Sequence, residues 1–106
     1  MSPSAGYSYH IYGVHSARSH SLFVDYLMED VDASQALILQ HIRNAPDETL
    51  HAWQERVSSN ELDVFELEYV VGYDAAQEAV EFWRAYFRFL GEKIVEAGHV
   101  GDRLSE

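Results

Sequence analysis

The chain has 106 residues, enough for one domain with a single core and not for two. Of these, 47% are hydrophobic and 13% aromatic, so it should fold without a metal or disulfide staple; with no cysteine, thiol redox chemistry, zinc-thiolate sites and cysteine nucleophiles are excluded. Eighteen acidic residues against seven basic ones give a formal net charge of -11, which leaves few cations for neutralising a nucleic-acid backbone.

The acidity is unevenly spread. Ser19 to Ile42 and Val57 to Trp83 carry acids but no Lys or Arg. Such a surface keeps a protein soluble, and it can also present phosphate-like charge to a basic groove on another protein. No apolar run approaches the ~20 residues of a membrane span, and the N-terminus lacks the basic segment and apolar core of a signal peptide. A soluble cytoplasmic protein is expected, one domain over residues 1–106 with its core at about 7–100 and flexible tails.

In chain order, Tyr7 to Val14 favours a strand through its aromatic and branched residues, with Tyr9 and Ile11 on one side and His10, Tyr12 and Val14 on the other. His15 to Ser21 reads as a polar connection, and Leu22 to Met28 as a second strand, which predicts a hairpin. Asp32 with Gln35 three residues on forms a capping-box pattern that opens a helix to about Asn44, with Ile38, Ile42 and Ala45 inward and Pro46 as its breaker. Leu50, Trp53 and Val57 mark a short helix closed by Ser58-Ser59-Asn60.

Asp63 to Val71 alternates, placing Phe65, Leu67, Tyr69 and Val71 on one side and Glu66 and Glu68 on the other. After Gly72, Asp74 with Gln77 repeats the capping-box pattern. Ala76, Ala79, Val80, Trp83, Phe87 and Leu90 then make one apolar helical face, with Gly91 as the stop. Phe82, Tyr86 and Phe89 form a second apolar stripe on the same helix. Either Ile94-Val95 or the helix of Trp53 covers it, or it is a homodimer or partner contact, since aromatic anchors dominate interfaces. The resulting order, strand, strand, helix, helix, strand, helix, implies an α+β domain with a three-stranded sheet, the N-terminal hairpin plus one later strand, covered by helices.

This order and several local strings resemble the GIY-YIG nuclease domain of homing endonucleases and of an excision-repair nuclease subunit. Ile11-Tyr12 matches the end of the first motif, and Phe23-Val24-Asp25 stands where the second falls, eleven residues on. Leu37 to His41 occupies the place of the Arg-rich helix that ends in a His. Val64-Phe65-Glu66 followed by Val80-Glu81-Phe82-Trp83-Arg84 lies where the family has a Val-Phe-Glu strand and a Glu-x-x-Trp-Ile helix.

The resemblance implies phosphodiester cleavage with a Tyr that helps activate water, an Arg on the phosphate and a Glu that holds one divalent metal. Tyr12 and His41 match and stand as remnants. Phe23 replaces the second Tyr, Asp25 its glycine, Leu37 the Arg and Val80 the metal-binding Glu. Glu81 is adjacent, but one residue along a helix turns a side chain by about 100°. With cation and phosphate ligands both gone, the largest electrostatic term in catalysis goes too. No catalytic, cofactor or metal residue is therefore expected.

Other groups carry less. His10, His15 and His20 with His41 lack paired carboxylates or helical His spacing, and solvated loop histidines are expected. Asp74, Glu78 and Glu81 read as a solvated or Arg84-paired flank. The reading is a non-catalytic acidic interaction protein that binds a basic nucleic-acid-handling protein, such as a nuclease or defence complex, through Glu66, Glu68, Asp74, Glu78, Glu81, Phe82, Tyr86 and Phe89. A DNA-mimicking inhibitor from a phage or mobile element fits this size and charge. Neither direct nucleic-acid binding nor membrane binding is expected. The alternative is a metal-dependent GIY-YIG-type endonuclease with rearranged ligands, using Tyr12, His41 and Glu81.

Overall fold

The structure, a computed structural model, describes residues 7–28, 31, 35–43, 49–50, 52–53 and 62–96. The expected Asp32 cap, Ala45, Pro46, Val57 and the 58–60 stop lie outside these residues. Among these residues the elements run in the order β1 (Ser8–Ser16), β2 (Ser21–Leu27), α1 (Gln35–Arg43), β3 (Leu62–Val71), α2 (Tyr73–Phe89) and β4 (Lys93–Ile94). Thr49, Leu50, Ala52 and Trp53 are also helical.

The strands make one mixed sheet in the order β3-β1-β2-β4, so the fold is α+β. The expected hairpin forms: β1 and β2 are antiparallel, with Tyr12 opposite Asp25 and Ser16 opposite Ser21. It extends further than expected, because His15 and Ser16 belong to β1 and not to a loop. The three-strand count is corrected by β4, which pairs parallel to β2 through Ser21–Lys93 and Leu22–Ile94. Lys93 N donates to the His20 carbonyl (2.8 Å) and Val95 N to that of Leu22 (2.9 Å). A two-residue strand has no periodicity of its own, and only this pairing defines it.

Both faces of the sheet are covered. Every residue of β2 is buried, which erases alternation and makes the strand read as a continuous apolar run. On one face Tyr12, Val14, Phe23 and Leu27 pack with Ile38 and Ile42 of α1 and with Leu50, Trp53 and Val95. On the other, Tyr9, Ile11, Leu22, Val24 and Tyr26 pack with Ala76, Ala79 and Val80 of α2. Each such fully buried aliphatic or aromatic side chain contributes about 1.5–3 kcal/mol from water exclusion. The division of β1 into Tyr9 and Ile11 against Tyr12 and Val14 matches its sequence period.

In β3 that period fails. Ile11 faces Glu68 but Tyr12 faces Glu66, so Leu67 is an extra residue, a β-bulge. Beyond the bulge every side chain changes face. Phe65, Leu67 and Val70 pack toward α2, whereas Tyr69 and Val71, expected beside Phe65 and Leu67, are exposed. Gly13 explains the close contact here, because a Cβ at that position would lie 2.8 Å from the Phe65 ring.

Helix α2 starts differently from the capping-box expectation. Its N-cap is Gly72 with no side-chain cap, and Asp74 sits in the first turn, where its charge suits the helix dipole. Gly72 has φ 103°, a conformation costly for other residues, and its N–H donates to the Tyr7 carbonyl (2.8 Å). The stop is as expected. Gly91 N bonds the Arg88 carbonyl and Glu92 N that of Phe87, both at 3.0 Å, a Schellman motif with Gly91 at φ 98°. No helix among the described residues is long and apolar enough to cross a membrane.

Candidate functional site

Of the positions singled out by the resemblance, those whose side chains are described do not converge. Tyr12 is fully buried under α1 with Phe23, their ring centroids 6.4 Å apart. Val80 is buried on the opposite face, against β1 and β2, while Glu81 next to it is exposed. Leu37 is 43% exposed on α1, and the side chain of His41 lies outside the described residues. Tyr12 and Glu81 are therefore separated by burial and by the faces they serve, and the rearranged site of Tyr12, His41 and Glu81 is not assembled by the described side chains.

Tyr12 has a different environment from a water-activating tyrosine. Its hydroxyl is buried and, among the described residues, has no hydrogen-bond partner. Burial, and then the Asp25 charge, push its pKa well above the ordinary tyrosine value, partly countered by the Arg84 guanidinium. Asp25, fully buried, stands opposite Tyr12 in the hairpin. Arg84 comes from α2 and donates an Nη2–H to the Val24 carbonyl at 3.0 Å, while its buried Nε–H has no partner among the described residues. Since β4 pairs with β2 only at Ser21 and Leu22, the carbonyl of Val24 is left for Arg84. Sequence reasoning placed Arg84 on a polar helix flank and missed this role.

His10 and His15 are strand residues with separate partners, while His20 lies in the turn between β1 and β2 and His41 in α1. His10 Nδ1 contacts Glu66, and the His10 ring lies edge-on to Tyr69 at 4.9 Å. His15 Nε2 lies 3.3 Å from Glu92. Among the described residues, no three His, Asp or Glu side chains group so as to hold a metal ion.

The acidic and aromatic candidates meet at the corner of β3 and α2. The bulge separates Glu66, which joins His10 on the α1 side, from Glu68, which accepts the Trp83 indole N–H at 3.0 Å. The expectation that Glu66 and Glu68 share one side is thereby corrected. Asp74, Glu78 and Glu81 are exposed along α2.

Phe82, Tyr86 and Phe89 are 60%, 44% and 86% exposed. Among the described residues neither proposed cover reaches them. Val95 packs in the α1-side cluster and Ile94 continues β4, while Trp53, buried, donates its indole N–H to Ser21 Oγ. The Phe82 and Tyr86 rings stack with 7° between planes at 6.3 Å, and Trp83 meets Phe82 edge-on at 5.4 Å. Between this flank and β3 runs an open groove of about 420 Å³, lined by Glu68, Val70, Glu78, Phe82 and Trp83 among others.

Compared with protein-family models, with curated proteins and with solved structures, the chain shows no match.

Proposed function

We propose that the chain is a non-catalytic protein-binding module that engages a basic, nucleic-acid-handling protein through the outer flank of α2. The observation that carries this reading is the exposed stripe of Phe82, Tyr86 and Phe89 beside Glu78 and Glu81, on a chain of net charge -11. Aromatic rings supply anchors that are stiff and large, and the acids favour a cationic partner and speed encounter. Because the bulge sends Glu66 and Glu68 to different faces, these two do not act as one patch, and Glu68 alone joins the α2 surface.

The scaffold is proposed to be a GIY-YIG-like one that has lost its chemistry, in support of which Val80 and Leu37 stand where the cation and phosphate ligands would fall. A small inhibitor of phage or mobile-element type, competing with nucleic acid for its target, suits this size and acidity, with the cytoplasm as its place of action. The test is capture from the source cell with wild-type protein and with Phe82→Ala/Tyr86→Ala. The wild type should retain a basic partner that duplex DNA displaces, and the variant should not. Retention indifferent to both DNA and the substitutions overturns the reading. In parallel, plasmid and single-stranded DNA should stay intact with Mg²⁺ or Mn²⁺; cleavage abolished by Glu81→Ala would establish the endonuclease instead.

A further inference from the structure

We propose that the outer edge of β3 accepts an extended basic segment of the partner as a fifth strand, whose alternate side chains enter the groove between β3 and α2. This deepens the reading of α2 as an interface and rests on it. Strand β3 is ten residues long and terminal in the sheet, and among the described residues no strand pairs with its outer side. From Glu66 to Val71 every residue is exposed or half-buried. Gln35 of α1 donates its side-chain amide to the Val64 carbonyl at 3.3 Å, so the stretch open to another strand is Glu66 to Val71, and such an edge is a template for strand addition.

The charges select the occupant. Natural edges are often guarded by Lys, Pro or a bulge; β3 has no Lys or Pro, its bulge is confined to Leu67, and its charged residues are Asp63, Glu66 and Glu68. A second copy of β3 would bring an acidic strand against an acidic strand, and like charges across a ladder are unfavourable. A strand bearing Arg or Lys meets the opposite situation. Its inward side chains on the α2 side would reach a groove prepared for a cation. The Glu68 carboxylate is already oriented by the Trp83 indole, Glu78 projects from the helix, and the Phe82 ring offers a face on which a guanidinium can stack. Since Glu68 is held before binding, little ordering is needed at that contact.

The probe is a synthetic peptide of alternating Arg and Thr, titrated at low salt and at ~150 mM salt, beside the same peptide N-methylated along one edge. One-to-one binding is expected, weakened by salt. Methylation should weaken it about tenfold or more, as loss of main-chain bonds requires. Glu68→Gln/Glu78→Gln should lower it to a similar extent, and amide exchange should slow at Glu66 to Val71. Equal binding of the methylated peptide overturns strand addition while leaving the α2 interface standing. No binding at low salt, or protection elsewhere than β3, also overturns it, as does a dimer formed without peptide with β3 protected. The interface reading fails separately, through the Phe82→Ala/Tyr86→Ala capture.

Discussion

Trp83 donates its indole N–H to a carboxylate oxygen of Glu68 at 3.0 Å, joining the middle of α2 to the residue just past the β3 bulge. Glu68 reaches this partner only because the bulge turns it to the α2 face. A hydrogen bond to a charged group contributes about 1.5–3 kcal/mol when well shielded and less when exposed. Trp83→Phe should therefore destabilise the protein by about 0.5–1.5 kcal/mol. Glu68→Gln, which keeps an acceptor, should stay within about 0.5 kcal/mol of the wild type in urea melts. Equal losses in the two variants would contradict this account of the corner.

Gly13→Ala places a methyl against the Phe65 ring, where the distance would be 2.8 Å, with Leu22 at 3.2 Å behind it. Overpacking of this kind costs about 1–3 kcal/mol. Combining it with Phe65→Leu should recover part of the loss in a double-mutant cycle, because the smaller side chain vacates the contact. Additive losses would show that the glycine serves something other than Phe65.

The Tyr12 hydroxyl is buried and has no hydrogen-bond partner among the described residues, so Tyr12→Phe removes a desolvated group and should be neutral or stabilising by up to about 1 kcal/mol. A pH dependence follows. The folded pKa of Tyr12 is raised above the ordinary value of 10.0, so the unfolded chain releases this proton first as pH rises. Stability from this group is complete below pH 10.0 and falls as pH climbs from there toward the folded pKa. Melting temperatures measured across the alkaline range should decline less steeply in Tyr12→Phe than in the wild type.

Arg84→Met removes the donor to the Val24 carbonyl and the cation whose charge acts on Tyr12, while retaining most of the aliphatic stem. A loss of about 1.5–3 kcal/mol is expected in chemical denaturation. Glu81→Gln, on the neighbouring exposed position, should change stability by less than about 0.5 kcal/mol. If the two variants match, Arg84 is not the link between α2 and the β2 edge that its hydrogen bond indicates.

What the sequence determined by itself were the features encoded by neighbours in the chain. The faces of β1, the inward Ile38 and Ile42, the apolar face around Ala76, Ala79 and Val80, and the Gly91 stop all follow from local period or from a glycine's reach into positive φ. The stripe of Phe82, Tyr86 and Phe89 was legible for the same reason, since spacing alone puts the three rings on one flank. Only the tertiary structure decided that nothing among the described residues covers that stripe, that Glu66 and Glu68 part at the bulge, that Ile94 becomes a strand, and that Arg84 bonds the carbonyl of Val24. Each of these depends on a partner distant in the chain. A bulge is a mismatch between two strands, and a two-residue strand exists only through its neighbour. A residue's exposure depends on what the rest of the chain leaves uncovered, and no periodicity within one segment carries that information.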